Sequence, residues 1–183
     1  MTSILKVDTI QTSSGVTQWF TDPPRFHIKK TAQQTGLTDN TENTVTWDQA
    51  EIDSVSGFDD TNDRYVVGQT GTYSLYANIA FYAQNGATLR DGFAWIEKSS
   101  DSGSTWTPIL SGGCRFSTND AHGDIVSFTG MHSLSSGDYL RVVGYLNNTD
   151  STTWSIVDQL NVMQSGITAT QNIATSFGGY RIA

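Results

Sequence analysis

Residues 65–82 read Tyr-Val-Val-Gly-Gln-Thr-Gly-Thr-Tyr-Ser-Leu-Tyr-Ala-Asn-Ile-Ala-Phe-Tyr, and their alternation decides the fold. After the Gly68 to Gly71 turn, period two puts Tyr73, Leu75, Ala77, Ile79 and Phe81 on one face of a strand. Ser74, Tyr76, Asn78, Ala80 and Tyr82 fall on the other. The first face is the inner wall of a β-sandwich. The second carries aromatic and small polar side chains but no charge, an unusual surface if water is all it meets. It is expected to be covered from outside the protomer, most simply by further copies of the same chain.

Working outward, the remaining chain continues as strands and turns. Phe26-His27-Ile28 opens the series, followed by a polar loop over Thr31 to Thr44 and an alternating segment from Val45 through Trp47 and Gln49 to Ile52. A turn over 57–63 leads into Arg64 to Val67. Phe93 to Lys98 and Thr105 to Leu110 are set to pair across the Gly103 turn, with Trp95 and Trp106 in reach of each other. Ile125 to Leu134 and Tyr139 to Leu146 read as a second hairpin, turning at Gly137. Trp154 to Met163 is an apolar run readable as strand or short helix, and Phe177 to Ile182 closes the chain as a strand. Eight to ten strands without a helix of convincing period predict an all-β sandwich or jelly roll.

A chain of 183 residues with 37% hydrophobic content fills one sizeable core. Only 15% of residues are charged, against about 25% in ordinary globular proteins. A net charge of −8 and scattered cations exclude the clustered Lys and Arg that nucleic-acid phosphates require. No apolar run approaches the ~20 residues that span a bilayer, and the first residues lack the pattern of a secretory signal, so neither membrane insertion nor signal-directed export is expected.

Residues 1–24 read as an arm separate from the head at 25–183. Ile4, Leu5, Val7 and Ile10 precede a Ser-Ser-Gly hinge, Trp19 and Phe20 form an apolar knot, and Asp22-Pro23-Pro24 marks the boundary. Two readings stay open: a docking arm that orders against a partner, or a terminal strand folded back on the head.

Sites of chemistry are sparse. Asp59-Asp60-x-Asn62-Asp63 offers oxygen ligands in a turn but lacks the EF-hand glycine and terminal glutamate, so turn capping is the expected role. Asp120-Ala-His122-Gly-Asp124 has ligand-like spacing with no third cluster beside it, so no metal and no cofactor are expected. Cys114 is the single cysteine and reads as a packing residue. The serines lack a nucleophile elbow, and no carboxylate pair stands out for glycoside hydrolysis. The chain therefore reads as non-enzymatic, with an envelope-polysaccharide depolymerase as the reading of another class. Trp106 and Trp154, beside Ser/Thr-rich turns, are weighed as sugar-stacking residues against packing in the sandwich.

Three landmarks carry a family resemblance: Gly71-Thr-Tyr73-Ser-Leu-Tyr76, Phe128 to Leu134 with Gly137-Asp138-Tyr-Leu140, and Phe177-Gly-Gly179-Tyr180. In order and spacing they resemble the globular heads of the complement first-component q subunit and tumour necrosis factor superfamily. The resemblance implies a ten-stranded jelly roll assembled as a homotrimer. It places Tyr73 in the sandwich core and Tyr76 at the trimer axis, and it implies that Phe177, with Ser127, Thr129 and Met131, lines the seam beside Ser74 and Asn78. The loop at 31–44 and the stretch 147–176 are longer than that family usually has.

The opening Ser3-Ile-Leu-Lys-Val-Asp-Thr-Ile-Gln-Thr, followed by Gly15, is similar to the N-terminal segment of tail-fibre and other structural proteins of bacteriophages, cyanobacterial ones especially. It implies a virion component on the tail or capsid exterior, made in the host cytoplasm, whose arm joins other virion proteins. The trimeric head would then serve in host-surface attachment to a glycan or protein, as a tail or baseplate fibre. A head fibre or capsid decoration protein is the alternative. No residue is assigned to receptor binding.

Overall fold

The computed structural model describes residues 10–11, 17–18, 23–83, 87–115, 122–150, 152–158 and 175–182. Its strands in chain order are β1 (Ile10–Gln11), β2 (Thr17–Gln18), β3 (Arg25–Lys29), β4 (Gln34–Leu37), β5 (Glu42–Thr44), β6 (Gln49–Asp53), β7 (Phe58–Asp59) and β8 (Arg64–Val66). They continue with β9 (Gly71–Ala83), β10 (Leu89–Ser99), β11 (Thr107–Arg115), β12 (Gly123–Leu134), β13 (Tyr139–Asn148), β14 (Trp154–Ile156) and β15 (Ser176–Arg181). No helix occurs among the described residues.

Strand β9 is the longest and organises the larger sheet. Along one edge it pairs with β12 over its length, from Leu134 opposite Gly71 to Gly123 opposite Tyr82. Its other edge is shared end to end: β15 pairs with Tyr73 to Asn78, and β14 pairs with Phe81 to Ala83. Beyond these, β3 and then β6 extend the sheet from β15, and β4 extends it from β14. The smaller sheet runs β11-β10-β13-β8-β7, with β5 also on β13. All pairings are antiparallel. From β4 onward the chain passes repeatedly between the sheets, as from β8 to β9, from β9 to β10 and from β12 to β13, which is the wrapping of a jelly roll.

Burial follows the predicted parity. Tyr73, Leu75, Ala77, Ile79 and Phe81 are fully buried, each large member of the row contributing about 1.5–3 kcal/mol by leaving water. Opposite them Ala94, Ile96, Leu140, Val142 and Leu146 fill the inner face of the smaller sheet. Phe81 meets Trp154 edge-on at 5.5 Å. Gly144 is small because a Cβ there would sit 3.1 Å from the Phe81 ring. At the junction where β14 hands over to β15, Ala80 donates its amide to Thr175 Oγ1 at 3.1 Å and accepts from the Val157 amide at 3.0 Å. Lys30 is buried beside this junction. Its ammonium donates to Thr46 O at 2.7 Å and to Thr46 Oγ1 at 3.0 Å, with Asp48 at 3.7 Å. Burial pulls its pKa down, and Asp48 opposes the shift.

Four expectations change. The Thr31 to Thr44 stretch holds β4 and β5, because Trp154 and Val143 supply them with strand partners from far along the chain. Ile125–Leu134 and Tyr139–Leu146 form no hairpin: β12 is captured by β9 and β13 by β10, so the Gly137 turn passes from one sheet to the other. In the Val45 to Ile52 segment, Val45 and Trp47 are buried as alternation predicts, but the strand itself begins at Gln49. The run from Trp154 is a strand that ends at Ile156, and 159–163 lie outside the described residues. The predicted pairing across the Gly103 turn is present, from Lys98 opposite Thr107 to Asp91 opposite Arg115.

Replacing Phe81 by Ala empties the space between Trp154 and Gly144, and the expected loss is about 3–5 kcal/mol in urea unfolding. A loss under about 1 kcal/mol would show that the two sheets do not pack through this ring.

Candidate functional site: an uncharged sheet face

Register fixes which side chains share the outward face of the larger sheet. One row runs Met131, Ser74, Tyr180 and Arg25. The next runs Thr129, Tyr76, Gly178, His27 and Ile52, and the third Ser127, Asn78, Ser176, Lys29 and Gln49. Six of the seven residues expected at the seam thus stand together: Ser74, Tyr76, Asn78, Ser127, Thr129 and Met131.

Phe177 does not join them. It pairs with Ala77, on the core side, and is fully buried against Phe26 at 5.1 Å and Trp47 at 6.0 Å. Its neighbour in the outward row is Gly178, and the large outward side chain of β15 is Tyr180, which is 53% exposed. Alternation within Phe177-Gly-Gly-Tyr180 places these two aromatics on opposite faces, a signal the family resemblance overrode. Ile52, on β6, was also missed. Its visibility from sequence depended on the register of β3 with β6, which shifts between His27 and Ile28.

The middle of the face mixes exposed apolar side chains with small hydroxyls and amides, several of them hydrogen-bonded within the sheet. The large hydrophobics left exposed among the described residues are Ile52, Phe93, Met131, Tyr180 and Ile182, and by register and alternation all but Phe93 belong to this face. Met131 is 70% exposed. Thr129 Oγ1 donates to the Leu75 carbonyl at 2.9 Å, and Asn78 donates to Ser176 Oγ at 3.2 Å. Tyr76 lies flat across Gly178, where a Cβ would collide with its hydroxyl, and bonds His27 Nδ1. Burial raises the pKa of its phenol, and Glu51 adds to the effect. Charge is confined to the β3–β6 margin, where Glu51 pairs with Lys29 and lies 3.3 Å from His27 Nε2. Covering the β12–β9–β15 part would strand few polar groups and no formal charge.

The other candidates are used structurally. Asp59 accepts from the Asn62 amide, the Asn62 side chain and Arg64, while Asp63 accepts from the Trp47 amide at 2.7 Å. No group of three or more metal-ligating side chains occurs among the described residues. Asp120 lies outside the described residues, and His122 Nδ1 bonds the Ala87 carbonyl at 2.7 Å. The Cys114 thiol is pushed up to about 11 by burial, with Asp124 contributing, which disfavours the thiolate. Trp154 is fully buried, and Trp106 donates to its own turn at Gly103 beneath the Arg141 guanidinium, so neither offers a free ring. Of the arm, Ile4, Leu5, Val7, Trp19 and Phe20 lie outside the described residues, and Ile10 is described only as part of the β1–β2 ladder.

No protein-family model matches this sequence, and no curated protein is significantly similar to it. Solved structures are similar in fold. Eiger TNF from S. frugiperda superposes with a TM-score of 0.60 at 14% identity, covering 89% of this chain and 94% of that one. Murine APRIL gives 0.58 at 14% identity, covering 87% and 99%. The globular domain of zebrafish complement 1qA gives 0.54 at 12% identity, covering 87% and 98%. The chain has the jelly-roll fold that these proteins share.

Burial also raises the pKa of the Tyr65 and Tyr73 phenols. Together with Tyr76, they should ionise above the range of a free phenol in an absorbance titration. Unfolded phenols ionise near pH ~10, so the stability contributed by the neutral buried rings is complete below that pH and lost as pH rises through the higher folded values. Ionisation of the Tyr65, Tyr73 and Tyr76 phenols near pH ~10 in the folded protein would contradict this burial.

Proposed function

We propose that this chain is a non-enzymatic structural protein of a bacteriophage virion, whose head assembles as a homotrimer through the β12–β9–β15 face and serves in host-surface attachment. The observation that carries the reading is the coincidence on one sheet face of exposed Met131 and Tyr180 with Thr129, Asn78 and Ser176, whose polar groups are already hydrogen-bonded. A monomer would leave this surface in water, whereas a closed ring of three copies would bury it once per subunit. The jelly-roll fold agrees with the trimer implied by the Gly71-Thr-Tyr73 and Phe177-Gly-Gly179-Tyr180 landmarks. The virion assignment rests on the likeness of the first fifteen residues to phage fibre segments. Residues 1–24 are the attachment arm, and the station proposed for the particle is a tail or baseplate fibre.

Replacing Thr129 or Tyr76 by Asp would place a carboxylate in the seam at a cost of about 3–5 kcal/mol. Both variants should elute at about one third of the wild-type mass, while Tyr76→Phe stays assembled. If both Asp variants keep the wild-type mass, the seam lies elsewhere. Removing residues 1–20 should leave the head assembled but absent from particles. Electron microscopy that finds the chain on the capsid lattice and not on the tail would replace the fibre reading with a decoration protein, and release of reducing sugar from host envelope would establish an enzyme.

A further inference from the structure

The smaller sheet turns a different surface outward. Ala94 and Ile96 of β10 are buried in the core, so Asp91, Phe93, Trp95 and Glu97 point away from it. Phe93 is 43% exposed and is flanked by Gly113 on β11 and Tyr145 on β13. A Cβ on Gly113 would fall 2.5 Å from a ring carbon of Phe93. The ring therefore lies down over the glycine and turns its other side to water. Tyr145 stands 6.1 Å away, tilted by 49°, and Trp95 follows two residues along the strand beside Ser111. Small residues at 111 and 113 keep the β11 side of this aromatic row low.

Planar polar groups border the row. At one end Asp91 is held by Arg115 at 3.2 Å and by Asn147 at 3.4 Å. At the other, Glu97 accepts from Trp95 Nε1 at 2.9 Å and from Arg141 at 2.7 Å. Asp91 and Glu97 are thus each matched by a guanidinium, while exposed Glu42 of β5 stands opposite Tyr145 and gives the border an acidic excess. Aromatic faces accept the C–H side of a sugar ring, and fixed carboxylate, amide and guanidinium groups pair with its hydroxyls. An acidic border on a chain of net charge −8 repels an anionic ligand and suits a neutral one.

We propose that Phe93, Trp95 and Tyr145 form a stacking platform for neutral pyranose units of a surface polysaccharide, with Asp91, Arg115 and Asn147 as its hydroxyl-binding rim. The inference rests on the attachment reading above and supplies its ligand class. The platform lies on the sheet opposite the proposed seam, so assembly leaves it open.

Native electrophoresis of the full chain through gels containing a glucan, a galactan or a mannan, with alginate as the anionic counterpart, tests this. Retardation is expected in at least one neutral gel. It should weaken about tenfold in Phe93→Ala, with melting temperature and native mass unchanged because the ring sits outside the core, and less in Arg115→Ala. Retardation equal in Phe93→Ala and wild type, retardation in alginate alone, or none in any gel overturns the platform. So does adsorption to host cells that protease abolishes and periodate spares, which would identify a protein partner. A trimer that needs its arm to join particles but ignores Phe93 removes only the platform; a monomer removes the reading beneath it.

Discussion

The structure depends on the period of a single strand. Because β9 alternates without a break from Tyr73 to Phe81, one side of it is committed to the sandwich interior, and its other side must be tolerable wherever it ends up. Any one-residue slip would exchange Leu75, Ile79 and Phe81 for Ser74, Asn78 and Ala80 in the core. The long ladder with β12 holds that register, and the two strands sharing its other edge hold it again. Stability and surface character are therefore set together. The side chains that fill the core fix which ones are left to meet a neighbour.

The two outward faces differ in how they treat charge. On the larger sheet, ionised groups are kept at the β3–β6 margin, and the middle is built of hydroxyls, amides, Met131 and aromatics. On the smaller sheet, charges sit among the rings, with three ion pairs among them: Arg141 with Glu97, Arg115 with Asp91, and Arg64 with Asp59 while stacking on Tyr139 at 4.1 Å. The first arrangement costs little to dry. The second keeps its hydrogen-bonding capacity in water, as a surface that recognises hydroxyl-rich ligands requires.

Much of this was legible from local pattern. The parity of β9, the Gly103 hairpin, the absence of convincing helical period and the placement of Tyr73 inside and Tyr76 outside follow from alternation and turn chemistry alone. Pairing between distant segments was not legible. A turn such as Ser135 to Asp138 looks the same whether it closes a hairpin or passes between sheets, and only capture by β9 and β10 decides. For the same reason Gln34–Leu37 and Glu42–Thr44 look like loop until Trp154 and Val143 arrive beside them. Phe177 was misplaced because a family landmark was followed over the local period, which assigns the outward position to Tyr180. The exposure of Phe93 was not legible either, since it depends on Gly113 in the next strand.

The central claim is that Met131 and its row are dry in the native assembly although a lone protomer exposes them. Hydrogen peroxide oxidises accessible methionine sulfur, and peptide mass spectrometry measures the rate at Met131 directly. The account predicts slow conversion to the sulfoxide in the intact protein and fast conversion in Thr129→Asp. Oxidation of native Met131 as fast as in its free peptide would contradict it.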